Sequence, residues 1–115
     1  MTNQEQLLFL DAKGNDLSSI DLSANKELYR LNLNNNSIAA IDLSQCTKLE
    51  YVSLADNELT SVDFSNNPAM IELTVDGNNL TELNVSANTM LEELSLANNN
   101  IHSIDLSANT ALGKL

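Results

Sequence analysis

The chain has 115 residues, with 5 basic side chains against 16 acidic ones and a formal charge of −11. That length holds one small domain or a piece of a larger protein, and the acidic balance argues against nucleic acid and against anionic membrane surfaces as partners. Aromatic residues make up 3% and Trp is absent, so Leu, Ile and Val must fill the core, while a single Cys excludes an internal disulfide framework.

Residues 1–6, MTNQEQ, form a polar N-terminal extension with neither the basic n-region nor the apolar h-region of a secretory signal. From residue 7 the sequence repeats every 21 residues. Leu7, Leu28, Leu49, Met70, Leu91 and Leu112 share one column, and Leu10, Leu31, Val52, Leu73, Leu94 and Leu115 share another. The same step carries Ala12, Leu33, Leu54, Val75 and Leu96, then Leu17, Ile38, Leu59, Leu80 and Ile101. It also carries Ile20, Ile41, Val62, Leu83 and Ile104, then Leu22, Leu43, Phe64, Val85 and Leu106. Every copy is apolar at every one of these columns, which identifies a repeat array. The chain divides into the extension, five repeats over 7–111 and the start of a truncated sixth over 112–115.

Within each repeat a smaller rhythm, L-x-x-L-x-L-x-x-N, occurs twice, as in LEYVSLADNEL (49–59) and LTSVDFSNNPAM (59–70). The L-x-L alternation is the signature of a short strand with one buried face. Two such strands per repeat, each closed by a turn, predict a coil with parallel strands on both long sides. Gly14, Asn35, Asp56, Gly77 and Asn98 fall in one turn column. All three residue types tolerate the left-handed region, so a positive φ is expected there. Beside it runs an Asn ladder of Asn15, Asn36, Asn57, Asn78 and Asn99, and a second ladder runs Asn25, Cys46, Asn67, Asn88 and Asn109. A side-chain amide offers donors and an acceptor together, so a buried stack of them can satisfy the turn backbone of its own coil and of the next.

These residues resemble the leucine-rich repeat family, whose signature LYRLNLNNNSI (28–38) matches with Ile at the last anchor. The nested ten-plus-eleven pattern is similar to the short 21-residue bacterial class, the IRREKO type. The resemblance implies a right-handed, mainly β solenoid without substantial helix, presenting one strand face to a protein or glycan partner. It implies no catalysis and no cofactor, and it favours a secreted or cell-surface bacterial setting.

An internal repeat lets columns be compared within one chain. The outward residues of the second half are nearly uniform, with Asp21, Asp42, Asp63, Asn84 and Asp105 in one column. Stacked carboxylates invite a metal reading, but neither EF-hand spacing nor the G-G-x-G-x-D calcium repeat is present, and no metal site is expected. The outward residues of the first half differ in every coil, and the column Phe9, Arg30, Tyr51, Glu72 and Glu93, continued by Lys114, is the expected partner-binding face. An Arg between two aromatics has the composition of an interface hot spot. His102 and Cys46 lie more than two coils apart, which argues against a nucleophile–base pair, so no enzyme is expected.

Acidic residues are concentrated late in the chain: 1–48 hold six acids and four bases, 49–115 ten acids and one base. That gradient points to a basic partner near the C-terminal coils. The leading expectation is a recognition module for a protein, with a glycan as the other ligand class. The alternative is a structural spacer or a segment of a larger surface protein with no ligand of its own. Ends without polar caps point first to a segment cut from a longer protein, with end-to-end self-association as the other expectation.

Overall fold

A computed structural model of the chain describes residues 7–114; the N-terminal extension and Leu115 lie outside them. Five three-residue strands, β1 (Phe9–Asp11), β2 (Arg30–Asn32), β3 (Tyr51–Ser53), β4 (Glu72–Thr74) and β5 (Glu93–Ser95), form one parallel sheet in chain order. Their register follows the 21-residue step, with Leu10, Leu31, Val52, Leu73 and Leu94 side by side. Among the described residues there is no helix, and the molecule is a parallel-strand β-solenoid. A single coil buries too little apolar surface to offset the ordering of its backbone, so the fold exists only as a stack.

Burial follows that logic. Leu49, Leu54 and Leu59 of the central coil are fully enclosed, whereas Leu7, Leu8 and Phe9 at the first coil are exposed. Leu96, Ile101, Ile104 and Leu106 of the last described coils are only partly covered. The core therefore runs as a line of aliphatic side chains through the middle coils, with thinner cover at both ends.

The left-handed turn column is as expected. Gly14, Asn35, Asp56, Gly77 and Asn98 have φ of 71°, 59°, 58°, 68° and 58°. The first Asn ladder sits against it. Asn57 donates from Nδ2 to the Leu33, Leu54 and Ala55 carbonyls, and its Oδ1 accepts the Ile38 N–H. Asn36 and Asn78 repeat this pattern one rung to either side. In the second ladder Asn67 donates to the Leu43 and Cys46 carbonyls, Asn88 to those of Phe64 and Asn67, and Asn109 to those of Val85 and Asn88. Each ladder thus ties a coil to the one before it.

The expectation of strands on both sides needs correction: the sheet occupies the first halves only. In the second halves the backbone N–H groups are used inside their own coil. The Ser23, Ser44, Ser65, Ser86 and Ser107 N–H groups donate to Oδ1 of Asp21, Asp42, Asp63, Asn84 and Asp105, at 2.8–2.9 Å. Immediately afterwards the Asn25, Cys46, Asn67, Asn88 and Asn109 N–H groups close turns onto carbonyls three residues back. Where the halves join, single bonds such as the Glu58 N–H to the Ile38 carbonyl at 2.9 Å link the coils, and between second halves the hydrogen bonds include the amides of the second ladder and Asn66 Nδ2 to the Ser44 carbonyl.

Candidate functional site

The sheet's outer face carries the varied column in strict register: Phe9, Arg30, Tyr51, Glu72 and Glu93, with Lys114 bridged to Glu93. Parallel pairing sets neighbouring members one strand spacing apart, about 4.8 Å, so every side chain meets the next. The Arg30 guanidinium carbon lies 4.5 Å from the centroid of the Tyr51 ring and 5.8 Å from that of Phe9. Both distances are within the range of cation–π attraction. No described residue forms an ion pair with Arg30.

Further along the column the charge reverses. Burial, the neighbouring Glu93 charge and a hydrogen bond shared with Glu93 raise the pKa of Glu72, and the Arg30 charge only partly opposes them. Glu93 has its own cation, Lys114 Nζ at 3.5 Å. Two open hollows follow this division. One, about 240 Å³, is lined by Phe9, Arg30, Tyr51 and Glu72; the other, about 360 Å³, is lined by Glu72, Glu93 and Lys114.

The next outward columns are partly committed to the scaffold. Asn34 Oδ1 accepts the Ser53 hydroxyl at 2.7 Å and the Ala55 N–H at 2.8 Å. Asp76 Oδ1 does the same for Ser95 at 2.7 Å and Ala97 at 3.0 Å. These clips recur every second coil, so a two-coil period overlies the single one. Its trace in the sequence is the pairing of Asn34 with Asp76, Ser53 with Ser95 and Ala55 with Ala97, a signal that reading one coil at a time misses.

The Asp column is a set of turn clamps. Asp21 and Asp105 are held below the usual aspartate value by the N–H of Ser23 and Ser107 and then by their hydroxyls. For Asp42 and Asp63 the Ser44 and Ser65 hydroxyls act first and the N–H groups second. Asn84 makes the same bond uncharged, so the column requires an acceptor and not a carboxylate. Because the folded pKa values are lowered, this stabilisation is complete above the unfolded aspartate value, about 3.9, and is lost as pH falls through the folded values. Asp63→Asn is expected to match the parent in urea unfolding near neutral pH and to gain on it toward about pH 3. A parent-to-variant difference that stays constant between the two conditions would contradict the clamp.

Cys46 is fully buried, and burial, with the Asp42 charge behind it, raises its thiol pKa. That is the opposite of an activated thiolate. Its Sγ donates to the Leu22 carbonyl at 3.6 Å, in the role the ladder amides fill elsewhere. His102 is exposed, in a segment without regular secondary structure.

Comparison with known proteins places this geometry. The family described as Leucine Rich Repeat matches residues 90–112. The functional domain of InlJ from Listeria monocytogenes superposes with a TM-score of 0.94 at 35% identity, over 96% of this chain and 25% of that one. An internalin, InlF, from Listeria monocytogenes gives 0.82 at 28% identity, over 97% of this chain and 35% of that one. A leucine-rich-repeat protein of Leptospira interrogans shares the fold, with a TM-score of 0.80 at 23% identity, over 98% of this chain and 37% of that one. The chain therefore spans between a quarter and two-fifths of the length of these structures. Comparison with curated proteins gives no match. With its 21-residue register, its Asn ladders and these likenesses, the chain is a leucine-rich-repeat protein, similar in its coils to the internalin-type repeats of Listeria.

Proposed function

We propose that this leucine-rich-repeat array is a recognition module that binds a protein partner through the Phe9–Arg30–Tyr51–Glu72–Glu93 column. The observation that carries the reading is Arg30, lying over both Tyr51 and Phe9 and in an ion pair with no carboxylate among the described residues. A scaffold has no need of an aromatic-flanked, unpaired cation on its surface, whereas interface hot spots are rich in Arg and Tyr. The contrast between columns supports the same face: the Asx clamps hardly vary, while this column changes chemistry at every rung. Likeness to Listeria internalins supports a bacterial surface or secreted setting. The Glu93–Lys114 bridge supports reading 112–115 as the opening of a sixth repeat after five over 7–111.

The test is selection of binders from a displayed library of random peptides on the parent protein, followed by titration against Arg30→Ala/Tyr51→Ala. Loss of two hot-spot side chains is expected to weaken selected binders by at least about tenfold. An Asp63→Asn control on the other side should leave them unchanged. Binders indifferent to the double variant would sink the reading.

A further inference from the structure

The column has two charged halves, each lacking part of what its chemistry requires. Arg30 uses ring faces for support, and a planar guanidinium supported in that way keeps N–H donors suited to a bidentate carboxylate. Two rungs on, Glu72 forms no ion pair among the described residues: the Arg30 charge opposes its neighbours only in part, and Lys114 is paired with Glu93. Partial burial and the Glu93 charge raise the pKa of Glu72, and an arriving cation would offset the repulsion between the two carboxylates. A neutral glycan would satisfy neither end, and a polyanion would meet Glu72 and Glu93 directly.

We infer that this face is dipolar and takes an extended peptide whose acidic and basic side chains stand three residues apart, the acid on Arg30 and the base on Glu72. The inference rests on the reading of this column as the binding surface and adds the partner's chemistry. Spacing supports the choice of peptide. Arg30, Tyr51 and Glu72 are consecutive in register, so Arg30 and Glu72 stand two strand spacings apart, about 9.6 Å. A polyproline II segment rises about 3.1 Å per residue, so residues three apart are about 9.3 Å apart on the same side. An extended strand brings same-side residues round every second position, about 6.7 Å, and fits less well. The residues between acid and base then lie over Tyr51, whose ring suits an apolar or prolyl contact, as in other grooves that read this conformation.

The experiment is the same peptide selection, run in parallel on the parent, Arg30→Glu and Glu72→Lys. Peptides from the parent should be enriched in an acid and a base three residues apart. Arg30→Glu should select paired bases and Glu72→Lys paired acids. Parent-selected peptides should lose about tenfold in affinity against Arg30→Gln or Glu72→Gln, with the loss shrinking as salt screens the charges. Thermal unfolding of Glu72→Gln at or above the parent temperature separates lost recognition from lost folding. Binders that depend on Arg30 and Tyr51 but carry no such charge pair overturn this inference and leave the binding face standing. Binders insensitive to every face variant, or no binder at all, overturn both.

Discussion

Replacing Asn57 by Ala is expected to remove about 2–4 kcal/mol of stability: the buried Ile38 N–H loses its partner, at about 1–3 kcal/mol, and the bonds to carbonyls that keep Asn36, Asn78 and the Asn35 N–H as donors add about 1 kcal/mol. Asn57 sits at the middle of the first ladder. Its amide reaches back to the Leu33 carbonyl at 2.9 Å, and its Oδ1 receives the Ile38 N–H at 3.1 Å. Both groups belong to the preceding coil, so the truncation weakens the junction that makes a coil stable at all. For a domain whose total stability is about 5–15 kcal/mol, that is a large share. Among the described residues, the side chain of Asn15, at the head of the same ladder, bonds the Ala12 and Lys13 carbonyls of its own coil, and it is exposed. Asn15→Ala should therefore cost less than about 1 kcal/mol, the ordinary worth of a neutral hydrogen bond. Urea unfolding followed by far-ultraviolet circular dichroism measures both, and equal losses at the two positions would refute the inter-coil role.

Much of this arrangement is legible in the sequence, since a 21-residue step fixes which side chains are neighbours across coils. The turn column can be read residue by residue because only a few residue types tolerate positive φ. Asp16, with φ 56°, is not legible in that way. Later coils use its column to donate an N–H to the coil before, as Ser37 does to Leu17 and Glu58 to Ile38. Asp16 has no earlier coil among the described residues to donate to, and its backbone turns differently. The second-half strands mislead for a related reason. Alternation of apolar residues is the same in both halves, and only the Asx side chain capturing the N–H two residues on separates a clamped turn from a ladder strand.

The second ladder is visible as a column, but its cost is not. Oδ1 of Asn67, Asn88 and Asn109 is buried with no hydrogen-bond partner among the described residues, although each amide nitrogen is well used. A Cys in such a column gives up a strong donor and has no carbonyl oxygen to leave unpaired, which accounts for Cys46 standing there. The InlJ domain is itself described as including a cysteine ladder. At the candidate site, the column predicts which residues are adjacent; that Arg30 lies over both rings depends on rotamers, which no periodicity reports.

Phe64→Ala is the second large effect expected, about 3–5 kcal/mol, and its size depends on where the residue stands in the stack. Phe64 is the only ring in a column that otherwise reads Leu22, Leu43, Val85 and Leu106, and it is 1% exposed. It lies in the middle of the core line, with coils on both sides, so the cavity left by truncation cannot open to solvent. Leu106, only partly covered, should lose less than Phe64 on the same change to Ala. Val85 is the smallest member of the column and follows Phe64 by one rung, which suggests that the two share volume. On that account Phe64→Leu leaves a gap and Val85→Leu overfills, each at about 1–3 kcal/mol. The double variant restores the column's common residue at both rungs and should recover most of the loss, a coupling of the sign expected for residues sharing a space. Urea midpoints for the two single variants and the double form a complete cycle. Strictly additive losses would mean that the ring is accommodated by something other than the small neighbour at Val85.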